Sequence, residues 1–138
     1  MAKNTYFYGW DSEDQIHYQS WQYMNIFAAR LGLTEEAHKY MHLKLNDSGR
    51  RFPAFWGPGH DYVPDLNWGG SGMIGVQEML LQSFDGKIYL LPAWPKDIDV
   101  SFKLWIENRT FVTVQYQDGQ LEYHVSDPDR EKDIIVYI

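Results

Sequence analysis

The chain of 138 residues is long enough to bury the core of one domain. Its net charge of −7, from 12 Lys plus Arg against 19 Asp plus Glu, disfavours a nucleic-acid partner, because phosphate needs a clustered basic face and here the basic residues are scattered. No run approaches the ~20 apolar residues of a membrane span, residues 1–5 open no apolar leader, and the lack of cysteine removes disulfides and thiolate metal sites.

Residues 1–10 crowd Tyr6, Phe7, Tyr8 and Trp10 into five positions and read as a docking segment or a short strand. Ser12-Glu13-Asp14-Gln15 has the form of a capping box. Ile16, Tyr23, Met24, Phe27 and Leu31 follow at helical spacing, which predicts a helix over 12–31 stopped by Gly32. Thr34 opens a second helix, with Glu35 and Glu36 in the first turn where negative charge suits the helix dipole. Ala37, Tyr40, Met41 and Leu45 form its inner stripe, and residues 46–49 end it. The short Gly32-Leu33 connection makes the two helices an antiparallel hairpin. His38 and His42 stand at i, i+4, a spacing able to bind a metal, but with no acidic or sulfur partner nearby they read as solvated residues of a helix face. No metal or cofactor is expected.

From Arg50 to Gly70 the pattern breaks. Phe52 to Tyr62 holds too many Pro and Gly for regular structure and too many aromatics for a disordered linker, so an ordered, functional loop is expected. His60 and Asp61 lie close to Asp65 in sequence and form a possible polar cluster with it; equally, His60 can serve as a loop residue bonded to a carbonyl. Asp65, Asn67 and Trp68 precede the Gly69-Gly70 pair, read as a sharp turn into a third helix over 71–84. Polar groups collected at a loop-to-helix junction suit a binding or catalytic site, and they suit a capped helix start as well. Apolar residues from Met73 to Leu81 nearly surround the third helix, predicting burial on more than one side, with Glu78 paired to a neighbour or capping a backbone group.

Beyond the Asp85-Gly86 turn the period changes to that of strands: residues 87–91, 100–104, 111–116 and 121–125, the last two joined by the hairpin signal Asp118-Gly119, and a final strand over 134–138. The expected class is α+β, a helical segment over 1–84 followed by a small antiparallel β-sheet or sandwich over 85–138. So many apolar helix positions ahead of so small a sheet favour a larger partner surface against the helices.

The run Asp65-Leu66-Asn67-Trp68-Gly69-Gly70-Ser71-Gly72-Met73-Ile74, the segment Glu78-Met79-Leu80-Leu81-Gln82-Ser83 and the strand end Leu90-Leu91-Pro92-Ala93 resemble the C-terminal part of family 95 glycoside hydrolases, inverting α-L-fucosidases and related enzymes. In that family the stretch reads roughly Asp-Gly-Asn-Phe-Gly-Gly-Thr-Ala-Gly-Ile, then Glu-Met-Leu-Leu-Gln-Ser and Leu-Leu-Pro-Ala. The likeness is dense from Asp65 to Pro95 and general elsewhere; Leu66 and Trp68 depart from it and mark a divergent branch. The resemblance implies that the helices are the last of an (α/α)6 toroid and that Asp65 holds the position of the general base. It further implies a carbohydrate substrate, the remainder of a larger hydrolase chain as partner, and a periplasmic or secreted location, although this chain has no signal peptide.

Inverting hydrolysis needs a carboxylate that deprotonates water on one face of the sugar and an acid that protonates the leaving oxygen on the other, roughly 6.5–9.5 Å apart. Asp65 suits the first role, Asn67 can orient the water, and Trp68, Trp56 or Tyr62 can form an apolar platform, with His60 at hand as a further substrate contact. The family's general acid is a Glu in a preceding part of the toroid, and neither Glu78 nor Glu36 is assigned to it. The alternative is a non-catalytic carbohydrate-binding or structural module.

Overall fold

In the computed structural model, residues 2–8, 22–45 and 66–138 are described. Among them, helices α1 (Ala2–Tyr8), α2 (Met24–Arg30), α3 (Thr34–Leu45) and α4 (Leu66–Leu80) precede six strands, so the class is α+β. Tyr6, Phe7 and Tyr8 of the first aromatic cluster are helical, not a strand, and Trp10 lies outside the described residues. Helical spacing turns Tyr6 inward, edge-on to Phe27 at 5.6 Å, and leaves Phe7 and Tyr8 exposed. Burial pushes the Tyr6 phenol well above its ordinary pKa, with Tyr40 and Glu36 adding to the effect, so the ring stays neutral in the core.

The α2–α3 hairpin forms, but α2 starts at Met24, with Gln22 and Tyr23 outside it, so the helix expected over 12–31 is not continuous. Gly32, at φ +65°, donates its N–H to Ala29 O, and Leu33 donates to Ala28 O, the paired bonds of a Schellman ending. The proposed capping box at Ser12 lies outside the described residues, as does the end of α3 at 46–49. The inner stripe of α3 differs from expectation: Leu45 is exposed, whereas Lys44 is buried, its stem against Gly72 and its Nζ donating to Gln22 O at 3.1 Å. A long stem reaching a carbonyl satisfies the ammonium where a leucine side chain would leave that oxygen unmet.

The third helix predicted over 71–84 spans Leu66–Leu80 instead. Gly69 and Gly70 are therefore helical rather than a sharp bend, at a cost of about 1 kcal/mol of propensity each. Packing on the next turns offsets that cost. A Cβ on Gly72 would press on Leu45 at 3.0 Å, and one on Gly75 would overlap the Asn25 side chain, so the two glycines let α4 lie directly against α3 and α2. Buried Asn25 spans the contact, donating Nδ2 to Ser71 O at 2.8 Å. The helix is buried on one face only, not on several sides as expected. Met73 and Ile74 are exposed, and its buried face is made of Gly72, Gly75, Met79 and Leu80.

Helix α4 stops at Leu80 because Gln82 caps it, donating Nε2 to Glu78 O and to Ala29 O. The chain then runs as β1 (Leu81–Phe84) into β2 (Lys87–Leu90), so the helical segment ends four residues before the expected boundary at 84. Asp85 and Gly86, both at positive φ, give this hairpin the twist of a type I′ turn, and Asp118 and Gly119 repeat the device between β4 (Phe111–Gln117) and β5 (Gln120–Val125). With β3 (Val100–Trp105) these form an antiparallel sheet in the order β3-β4-β5.

The other sheet, β1-β2-β6, corrects the all-antiparallel expectation: β6 (Ile134–Val136) runs parallel to β2, with Ile88 opposite Ile134. Parallel pairing needs a long crossover, and here it is residues 91–133, which hold the whole β3-β4-β5 sheet; residues 126–133, including a 3₁₀ segment at Pro128–Asp133 capped by Asp127, bring the chain back from β5 to the edge of β2. Ile88, Leu90, Val112, Val114, Tyr116 and Val125 fill the space between the two sheets, as in a sandwich. A second core of Met24, Ala28, Ala29, Ala37 and Met79 holds the helices, and Trp94 packs against both, its Nε1 donating to Ile98 O.

Candidate active site

Helix α4 opens at Leu66, the residue that follows Asp65 in the sequence. A helix start leaves its first backbone N–H groups without intrahelical partners, and its dipole favours negative charge there. Asn67 lies in the first turn and is exposed; its carbonyl accepts a hydrogen bond from Ser71 Oγ at 2.7 Å. Beside it, a Cβ added to Gly69 or Gly70 would meet nothing within 4 Å among the described residues, which leave one flank of the first two turns open.

The remaining predicted site residues, Trp56, His60, Tyr62 and Asp65 itself, lie outside the described residues, as does the side chain of Trp68. Behind the first turn the helix is fixed by Asn25 on Ser71 and by Lys44 against Gly72. Neither was singled out by sequence. Asn25 stands among apolar neighbours at an inward helical position, and that was the available signal. Glu78 is paired, as expected, with Arg30 at 2.7 Å. His38 and His42 lie on one flank of α3 with ring centroids 6.4 Å apart.

A second polar cluster, unseen in sequence, joins the two sheets. Ser83 Oγ donates to Glu107 Oε2 at 2.6 Å, Arg130 donates to Glu107 and to Asp133, and Lys87 reaches Asp133 at 3.3 Å. The Ser83 hydroxyl, aided by Arg130, holds the Glu107 carboxyl below its usual range. For Asp133, partial burial pushes upward, but hydrogen bonds and charge from Lys87 and Arg130 outweigh it and its pKa is also lowered. Carboxyls with depressed folded-state pKa values add stability above their unfolded pKa near about 4, and that stability is lost as pH falls through the lower folded value. Thermal melts from pH 7 to pH 3 should therefore show a steeper acid loss of Tm for the native chain than for Arg130→Ala. Parallel curves would remove this cluster from the acid response.

Neither a protein-family model nor a curated protein sequence matches the chain. Among the described residues no helix is long and apolar enough to cross a membrane.

Proposed function

We propose that this chain is the C-terminal segment of an inverting glycoside hydrolase acting on α-linked sugars, and that Asp65 is its general base. The observation that carries the reading is the coincidence of the Asp65-Leu66-Asn67-Trp68-Gly69-Gly70 run with the start of α4, where Asn67 is exposed and the flank beside the glycines is open. A carboxylate ahead of a helix stays charged at neutral pH and can accept a proton from water, which Asn67 orients. Trp68, with Trp56, Tyr62 and His60 from the preceding loop, supplies the sugar contacts. Helices α2 to α4 are the last of an (α/α)6 toroid, and the hydrolase is periplasmic or secreted.

The general acid comes from the remainder of the hydrolase, which also covers Leu43, Met73 and Ile74, apolar residues exposed on the helices. The 138-residue chain alone is accordingly expected to hydrolyse an aryl α-L-fucoside no faster than buffer does. Turnover by this chain at the rate of an intact glycosidase would overturn the division of the acid and base between two parts of the protein.

A further inference from the structure

The outer face of the β3-β4-β5 sheet is not the featureless polar surface that its strand alternation suggests. Inward positions of β4 are the buried Val112, Val114 and Tyr116, and the outward row across the three strands at one level is Ser101, Gln115 and Glu122. Next comes Lys103, Thr113 and His124, and at the end of the sheet Trp105 stands opposite Phe111. Trp105 is 66% exposed, an unusual position for an indole on the polar phase of an edge strand. It is also braced. Phe111 meets it edge-on with centroids 5.4 Å apart, His124 meets Phe111 at 6.5 Å, and Lys103 Nζ sits 3.9 Å from the centre of the Phe111 ring.

Beside Trp105 a hollow of about 490 Å³ opens towards the end of α4, with Gln77, Glu78, Ser83, Lys103 and Glu107 on its walls. At the far end of the same face a second hollow, of about 360 Å³, is lined by Gln115, Gln117, Asp118, Gln120 and Glu122. From Phe111 to Gln117 the strand runs roughly 20 Å, the length of several linked rings. The face therefore offers a fixed aromatic platform at one end, then a line of amide, hydroxyl and carboxylate groups. A sugar chain has the matching chemistry: an apolar C–H face for the indole, and hydroxyls that donate to carboxylates and exchange hydrogen bonds with amides.

We propose that this face binds a neutral oligosaccharide, with Trp105 as its stacking anchor and Gln115, Gln117 and Glu122 as hydroxyl partners. Neutrality follows from charge. Glu78 and Glu107 are paired with Arg30 and Arg130, but Asp118 and Glu122 line the second hollow with no basic residue among its walls, so a polyanionic sugar or nucleic acid meets repulsion there. The site is separate from the start of α4, since the first hollow touches that helix at Gln77 and Glu78, about 15 Å along the axis from Asn67. It holds a chain without cleaving it.

The test is amide and indole NMR of the ¹⁵N-labelled 138-residue chain, with the Trp105 indole signal assigned by its loss in Trp105→Ala. Cellohexaose, xylohexaose, mannohexaose and maltohexaose are the neutral probes, and hexagalacturonate is the anionic one. At least one neutral hexasaccharide should shift the Trp105 indole and the Gln115 and Gln117 side-chain amides saturably. Trp105→Ala, with an unchanged fold by its remaining amide spectrum, should weaken that binding by about tenfold; Gln115→Ala should weaken it less, and Asp65→Asn should not alter it. No saturable shift with any neutral probe, binding of hexagalacturonate alone, or affinity indifferent to Trp105→Ala would each overturn the proposal. Shifts confined to residues 56–68 and lost in Asp65→Asn would also overturn it, while leaving the catalytic reading intact.

Discussion

Asp65→Asn, introduced into the longer hydrolase proposed above, is expected to lower kcat for an aryl α-glycoside by about 10²- to 10⁴-fold, the range a positioned general base contributes. KM should stay nearly constant, because an asparagine keeps the hydrogen-bonding shape of the side chain while removing its ability to take a proton. Asparagine is as good an N-cap as aspartate, so Tm should move little even if residue 65 serves as a helix cap. Equal loss of binding and turnover would point instead to a carbohydrate-binding module, and a change in stability alone to a structural cap.

The largest effect on stability is expected at Gly75. A methyl group there overlaps the Asn25 side chain, which is 2% exposed and cannot swing away without giving up its bond to Ser71 O. Overpacking costs about 1–3 kcal/mol and an unmet buried amide a similar amount, whereas alanine returns about 1 kcal/mol of helix propensity. Gly75→Ala should thus destabilise the chain by about 2 kcal/mol in denaturant melts. In an Asn25→Ala background the obstruction is gone and only the propensity gain remains, so the same substitution should become neutral or stabilising. Simple additivity of the two changes would mean that Gly75 and Asn25 do not meet between α4 and α2.

Local signals were the legible ones. Thr34 followed by Glu35 and Glu36 marks the start of α3, the alternation from Phe111 to Gln117 marks β4, and the two Asp-Gly pairs mark their hairpins, because each depends on neighbours within a few residues. The start and end of α4 were misread for opposite reasons. Gly69-Gly70 permits a bend without requiring one, and what keeps it helical is the packing of Gly72 and Gly75 on other helices. Met79-Leu80-Leu81 continues a helical apolar pattern, yet Leu81 pairs with Leu90 as a strand because the Gln82 amide closes the helix from outside.

Long-range geometry left no trace in spacing. The parallel setting of β6 depends on the path of residues 91–133 between it and β2, and the Arg130–Glu107 bond joins residues 23 apart in the chain. Of the candidate site, the sequence order of Asp65, Asn67 and Trp68 was readable, but the helix expected from 71 starts at Leu66, so Asn67 lies within it rather than ahead of it. The support from Asn25 and Lys44 was not, since a polar side chain buried between helices looks like a surface residue until its partners are located.

The catalytic reading is tested most directly by ¹H NMR of the sugar first released from an aryl α-L-fucoside by the complete hydrolase. Water activated by Asp65 on the face opposite the leaving group should release the β-anomer first, with the α-anomer appearing only by mutarotation, and both signals should vanish in Asp65→Asn. Initial release of the α-anomer, or undiminished release by the variant, would contradict it.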